Sequence, residues 1–232
     1  MDRKDIAKKS AEILINTQCV GFNAKEPFVY TSGAIGPVYV DCRRPIAFAE
    51  ERNQLMSFAA DMLKDLGIEY VAGGETAGIP YAGFLAERLN LPMLYVRKKP
   101  KDFGRMGQIE GHFEEGSNPN VLLVEDLQRD GGSKVPFVKA LRQAGAMVKD
   151  SFVVFHYGTF AKSEERMKEL SINLHSLCDW WDVIEVAKEK NYFDAETLES
   201  VELFLNEPET WQEKNAHLHP GQKDKELDEQ SA

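Results

Sequence analysis

The chain has 232 residues, 43% hydrophobic and 28% charged, an ordinary globular composition with apolar material for one core and no demand for a second domain. Its formal net charge of −10 argues against general nucleic-acid or anionic-membrane binding, which needs a basic face. Cys19, Cys42 and Cys178 are widely spaced, no apolar run approaches a membrane span, and the opening Met-Asp-Arg-Lys-Asp lacks a signal peptide's apolar stretch, so disulfides and secretion are not expected and the cytoplasm is.

Along the chain, residues 5–17 place Ala7, Ala11 and Leu14 at helical spacing and predict an amphipathic first helix. Residues 27–41 read as two short strands around the turn-rich Ser32-Gly33-Ala34-Ile35-Gly36-Pro37. Leu55, Met56, Ala59, Met62, Leu63 and Leu66 predict a helix over 50–66, which Gly67 can stop. A strand at 70–73, a helix at 80–89 and a strand at 93–96 follow. Then come a strand at 121–124, a helix at 135–144, a strand at 152–155 and a final short strand within 172–177. Strands alternating with helices imply βαβ units: an α/β fold whose central, mostly parallel sheet is flanked by helices. One domain over 1–211 is expected, with an N-terminal hood (about 1–45) and a C-terminal helical extension (about 179–211). The polar tail, 212–232, has little to bury and is expected to be flexible.

The most informative segment is Val121-Leu-Leu-Val-Glu-Asp-Leu-Gln-Arg-Asp-Gly-Gly-Ser133. A buried strand delivers Glu125 and Asp126, and Gly131-Gly132-Ser133 opens a helix whose free N–H groups can cradle an anion. Two carboxylates beside such a cradle suit a ligand with vicinal hydroxyls and a phosphate, held directly or through Mg²⁺, and a ribose 5-phosphate has both features. The plainer alternative is an acidic strand end and a capping turn. Gly73-Gly74-Glu75-Thr76-Ala77-Gly78 is dense enough in glycine for close approach to a phosphate, or is a plain strand–helix turn. Arg97, Lys98, Lys99, Lys101 and Arg105 form a basic cluster before Gly107, either a solvated face or a closing loop for a charged leaving group. All three segments follow predicted strands, so they share the rim where such sheets bind ligands. His217 and His219 sit in the polar tail without a third ligand, and Trp180-Trp181 suits packing or a dimer contact better than base stacking.

The order of strand, Glu-Asp, loop, Gly-x-Ser and helix resembles the phosphoribosyl-diphosphate (PRPP) motif of type I phosphoribosyltransferases. Residues 28–41, 73–80 and 97–104 are similar to the N-terminal segment, diphosphate turn and mobile basic loop of orotate phosphoribosyltransferases. The resemblance covers roughly residues 5–160, and 179–211 looks like the extension of one bacterial branch. It implies transfer of phosphoribosyl from PRPP to orotate in pyrimidine synthesis, giving orotidine 5′-monophosphate and diphosphate, in a homodimer. Lys101 and Asp126 would be catalytic, Lys101 acting across the dimer interface. PRPP would contact Arg97, Lys98, Thr76, Ala77, Glu125, Asp126, Gln128, Arg129, Asp130, Gly131, Gly132 and Ser133, with Mg²⁺ carried near Glu125 and Asp126 and held by no direct side-chain cluster. Orotate would contact Thr31, Ser32, Gly33, Tyr39 and Arg129. Thr31, Ala77, Phe103 and Tyr157 stand where the family usually has a lysine, a lysine, a histidine and an arginine, and Gln128-Arg129 departs from the usual phosphate loop. These departures motivate two alternatives: transfer to another base, or a PRPP- or nucleotide-sensing regulator on the same fold.

Overall fold

A computed structural model describes residues 1–30, 33–100 and 107–220. In chain order the elements are α1 (Arg3–Asn16), β1 (Val20–Phe22), β2 (Phe28–Val29), β3 (Ile35–Gly36), β4 (Val38–Val40), α2 (Ala49–Leu63), β5 (Tyr70–Gly74), α3 (Gly78–Leu89), β6 (Met93–Val96), β7 (Ile109–Glu110), β8 (Val121–Gln128), α4 (Lys134–Gln143), β9 (Asp150–His156), α5 (Ala161–Leu170), β10 (Asn173–Asp179), α6 (Trp180–Lys190), α7 (Ala195–Asn206) and α8 (Pro208–Asn215).

The central sheet has the order β10-β9-β8-β5-β6-β7. Its first five strands run parallel and β7 pairs antiparallel at the edge. The α/β class, the flanking helices and the mostly parallel sheet are as the sequence predicts. Both faces are covered, as a parallel sheet requires. Along β8 the side chains alternate: Leu122 and Val124 join Leu14, Leu55, Tyr81 and Trp180 on one face. Val121 and Leu123 join Phe137, Leu141 and Met167 on the other. From β5 the chain moves outward to β6 and β7, then returns past β5 to β8. The sheet's topological switch therefore lies between β5 and β8, and ligands of such sheets bind beyond the strand ends at that crevice.

Three parts differ from the sequence reading. The strand predicted over 121–124 continues to Gln128, paired with β9 through Gln128 and His156. β1 and α5 carry weak signals: β1 is three residues long, and α5 buries only Ser163 and Met167, too narrow a stripe for periodicity to reveal. Residues 212–219, expected within a flexible tail, instead fold back on the hood. Gln212 Nε2 donates to Ile35 O at 3.3 Å and His219 Nε2 lies 3.1 Å from Gly33 O. The hood itself comprises two small antiparallel pairs, β1 with β4 and β2 with β3.

Candidate active site

Three glycines pack β5 and the turn after it closely, Gly73 against the start of α3 and Gly74 and Gly78 against β8. A methyl group at Gly78 would collide with Val124 O, and one at Gly73 would lie 2.7 Å from Ile79 Cα. One at Gly74 would meet the Phe137 ring at 2.8 Å and Glu125 Cγ at 3.2 Å. Only a residue without Cβ lets α3 start so close to the neighbouring strand. The Glu75–Thr76 peptide is cis. Glu75 N–H donates to Val96 O at 2.9 Å, and Glu75 Oε2 accepts from Lys98 N–H at 2.6 Å. The turn after β5 is thereby tied to the start of the basic segment after β6. Thr76 is exposed and Ala77 buried. Arg97 meets Glu110 Oε1 at 3.4 Å, whereas Lys98 is exposed.

The two carboxylates on β8 are not equivalent. Neighbouring strand residues face opposite sides of a sheet. Glu125 points inward, its Oε2 2.5 Å from Nζ of Lys134, a lysine with no exposed surface at the first position of α4. Asp126 is partly exposed, 3.9 Å from Arg43 Nε, and burial holds its carboxyl above the usual carboxylate range. Asp126 is thus the carboxylate that a ligand can reach first, with Glu125 anchored behind it.

The loop between β8 and α4 carries its own acceptor. Gly131 adopts a φ of +75°, which favours glycine. Gly132 N–H donates to Asp130 Oδ1 at 3.2 Å, and that hydrogen bond draws the Asp130 carboxyl below its ordinary range. Arg166, from α5, donates to Asp130 O at 2.7 Å and pairs with Asp130 Oδ2 at 3.4 Å. Arg166 so balances an acid sitting where an anion would bind. Gln128 does not face the cleft; its Nε2 donates to Ser163 Oγ at 2.7 Å beneath the loop. Ser163 Oγ also lies 3.0 Å from His156 Nε2, and burial lowers the pKa of that imidazole. Gly131, Gly132 and Ser133 lie at the expected place before α4.

Beyond the ends of β8 and β9 opens a cavity of about 410 Å³. Tyr39, Arg129, Tyr157, Phe160, Phe204 and Asn206 are among its lining residues. Tyr157 N–H donates to Gln128 O at 2.9 Å, which places Tyr157 beside Arg129. Burial pushes the Tyr157 phenol up to about 12. Arg129 is the one charged side chain among the described residues lining the cavity, 5.6 Å over the Phe160 ring. Tyr39 is half-exposed and rests on Phe28, with ring centroids 5.4 Å apart. Aromatic walls with one cation suit a flat anionic ring.

Of the sequence-predicted residues, β8 and the following loop carry Asp126, Arg129, Asp130, Gly131, Gly132 and Ser133, and Tyr39 lines the cavity with Arg129, whereas Gly33, between β2 and β3, is not among the lining residues. Thr31, Ser32 and Lys101 lie outside the described residues. Arg43, Lys134 and Arg166 were not foreseen. Each is remote from its partner in sequence or hidden at a helix start, where a lysine ordinarily reads as solvated. Among the described residues no three His, Cys, Asp or Glu side chains converge as a metal site.

No family model matches the chain. It is 48% identical over 216 residues to the orotate phosphoribosyltransferase of Dinoroseobacter shibae, covering 91% of this chain and 95% of that one. Among solved structures, the orotate phosphoribosyltransferase of Aeropyrum pernix superposes with a TM-score of 0.63 at 25% identity, covering 79% of this chain and 99% of that one. The Leishmania donovani UMP synthase shares the fold, with a TM-score of 0.71 at 23% identity over 85% of this chain and 42% of that one.

Proposed function

The chain belongs to the orotate phosphoribosyltransferase family, and from that premise we propose that it transfers phosphoribosyl from PRPP to orotate, giving orotidine 5′-monophosphate and diphosphate in pyrimidine synthesis. The observation that carries this reading is that β8, which borders the switch with β5, carries a reachable carboxylate (Asp126) and leads into a glycine loop, while Arg129 of that loop is the one charged side chain among the described residues lining the aromatic cavity beyond β8 and β9. The 5′-phosphate takes the 129–133 loop, displacing Asp130 from Gly132 N–H toward Arg166. The ribose hydroxyls donate to Asp126. The diphosphate lies toward the 73–78 turn and the basic segment from Arg97 and Lys98 onward. Orotate takes the cavity with its carboxylate on Arg129, since a carboxylate losing hydration needs a donor or cation. Thr31, Ser32, Gly33 and Tyr39 are assigned to orotate on the resemblance of the 28–41 segment, and Tyr39 lines the cavity.

In the reaction the bond from ribose C1 to the diphosphate oxygen breaks as the bond from C1 to a ring nitrogen of orotate forms. The electron pair of the broken bond leaves with the diphosphate, and the ring nitrogen gives up its proton to solvent. The protein supplies position and charge rather than a covalent intermediate. We assign Lys101 to the leaving diphosphate of the partner subunit's site in a homodimer, on the resemblance of the 97–104 segment. Apart from Glu125, which Lys134 occupies, Asp126 offers a partly exposed oxygen ligand. That donor set fits Mg²⁺ carried chiefly by substrate oxygens and water, which would offset the negative charge of PRPP. Three buried cysteines without disulfides support a cytoplasmic setting, and no helix among the described residues is long and apolar enough to cross a membrane. The net charge of −10 supports small-molecule substrates over nucleic acid.

The test is turnover of orotate with PRPP and Mg²⁺ beside uracil, adenine and hypoxanthine. Orotate consumption with stoichiometric diphosphate supports the reading; turnover of a different base alone, or of none with PRPP bound, refutes it.

A further inference from the structure

The base cavity has a wall that the phosphoribosyl machinery does not supply. Phe204, Leu205, Asn206 and Pro208, from the end of α7 and the start of α8, line it together with Arg129 and Tyr157. This segment is fixed in place. Trp211 is fully buried, and its indole N–H donates to Ser200 Oγ at 2.8 Å. The Phe204 ring stands edge-on to Trp211, with centroids 5.4 Å apart, and meets Tyr30 at 6.4 Å. Tyr30 Oη in turn donates to Val38 O at 2.7 Å, and a methyl group at Gly36 would collide with both Tyr30 and Phe204. Strands of two or three residues hold little structure alone. The chain Trp211, Phe204, Tyr30 therefore braces the hood over the cavity from the C-terminal side.

We propose that Phe204 and Asn206 are specificity-determining residues for the base, Phe204 as a wall and Asn206 as a hydrogen-bond partner; this rests on the reading of the cavity as the orotate site. The Asn206 amide is oriented by the last turn of α7, where Nδ2 donates to Glu202 O at 2.9 Å. A primary amide still presents a second N–H and a carbonyl oxygen. That donor–acceptor pair matches the imide edge of a pyrimidine dione, a carbonyl oxygen beside a ring N–H. With Arg129 at the carboxylate and Asn206 at the imide edge, two separated polar contacts orient a ring that aromatic walls alone would let slide. A site built to hydrogen-bond one edge rejects analogues in which that edge is blocked.

The experiment is steady-state kinetics on the full chain, with wild-type turnover of orotate measured first, because its absence would fail the underlying reading rather than this one. With that turnover in hand, Asn206→Ala is expected to raise KM for orotate about five- to tenfold, the worth of one hydrogen bond, with KM for PRPP within twofold. Wild-type preference for orotate over N3-methylorotate should shrink by the same factor in the variant. Phe204→Ala should raise KM for orotate as well. Glu199→Ala, on an exposed position of α7, should match wild type. Because the Asn206 side chain is exposed, its loss leaves folding intact. Unchanged KM for orotate and unchanged discrimination against N3-methylorotate in folded Asn206→Ala would overturn the proposal.

Discussion

Replacing Lys134 with methionine strands Glu125 in the interior without its cation. Glu125 is 7% exposed and Lys134 fully buried, so water cannot take over the lost interaction. Removing one partner of such a pair costs about 3–5 kcal/mol. With a urea slope of about 3 kcal/mol per molar, the midpoint at pH 7 should fall by about 1 to 1.7 M. Urea titrations followed by tryptophan fluorescence would measure it. Glu125→Gln combined with Lys134→Met removes both charges and should recover most of the loss. A Lys134→Met midpoint equal to wild type at pH 7 would refute the buried-pair reasoning.

Asp126→Asn should lower kcat/KM for PRPP about a hundredfold, and because burial raises the Asp126 carboxyl above the ordinary 3.8, the wild-type acid limb should lie above that value and vanish in the variant. The sign for stability is opposite: stability is lost as pH rises from the ordinary 3.8 toward the raised value of Asp126 and stays lost above it, so Asp126→Asn should melt at or above the wild-type temperature at neutral pH. Arg166→Gln unbalances Asp130 beside the phosphate and should raise KM for PRPP about fivefold, as for a partly exposed charge worth about 1 kcal/mol; adding Asp130→Asn should restore it, and kinetics of the pair of variants decides this. Mixing Lys101→Ala subunits with Asp126→Asn subunits should regain part of the activity if the basic loop serves the neighbouring site, whereas additive losses in the mixture would exclude sharing.

The scaffold was legible because β8 and its neighbours read as short apolar runs, and a parallel sheet buries both faces. Leu122 and Val124 on one side and Val121 and Leu123 on the other leave no polar alternation to confuse the pattern. The extension of β8 to Gln128 was not legible, since Glu125 and Asp126 resemble a strand end. Glu125 stays in the strand because Lys134 neutralises it in the core, a partner nine residues away that no periodicity links to it. Gln128 reads as a loop residue, yet Ser163, on the weakly amphipathic α5, buries its amide. Residues 212–219 look unattached by composition, but their contacts to the hood are made largely through backbone carbonyls of Ile35 and Gly33, which composition cannot reveal. The cavity's C-terminal wall follows from the same packing, and for the same reason only the folded chain shows it.

The most direct test of the central assignment is the position of orotate in a crystal structure of the protein with orotate and PRPP bound. The ring should lie in the cavity between the hood and the ends of β8 and β9, with its carboxylate within about 3.2 Å of the Arg129 guanidinium and PRPP's ribose hydroxyls at Asp126. Orotate seated elsewhere, or in the cavity with its carboxylate turned away from Arg129, would contradict the account.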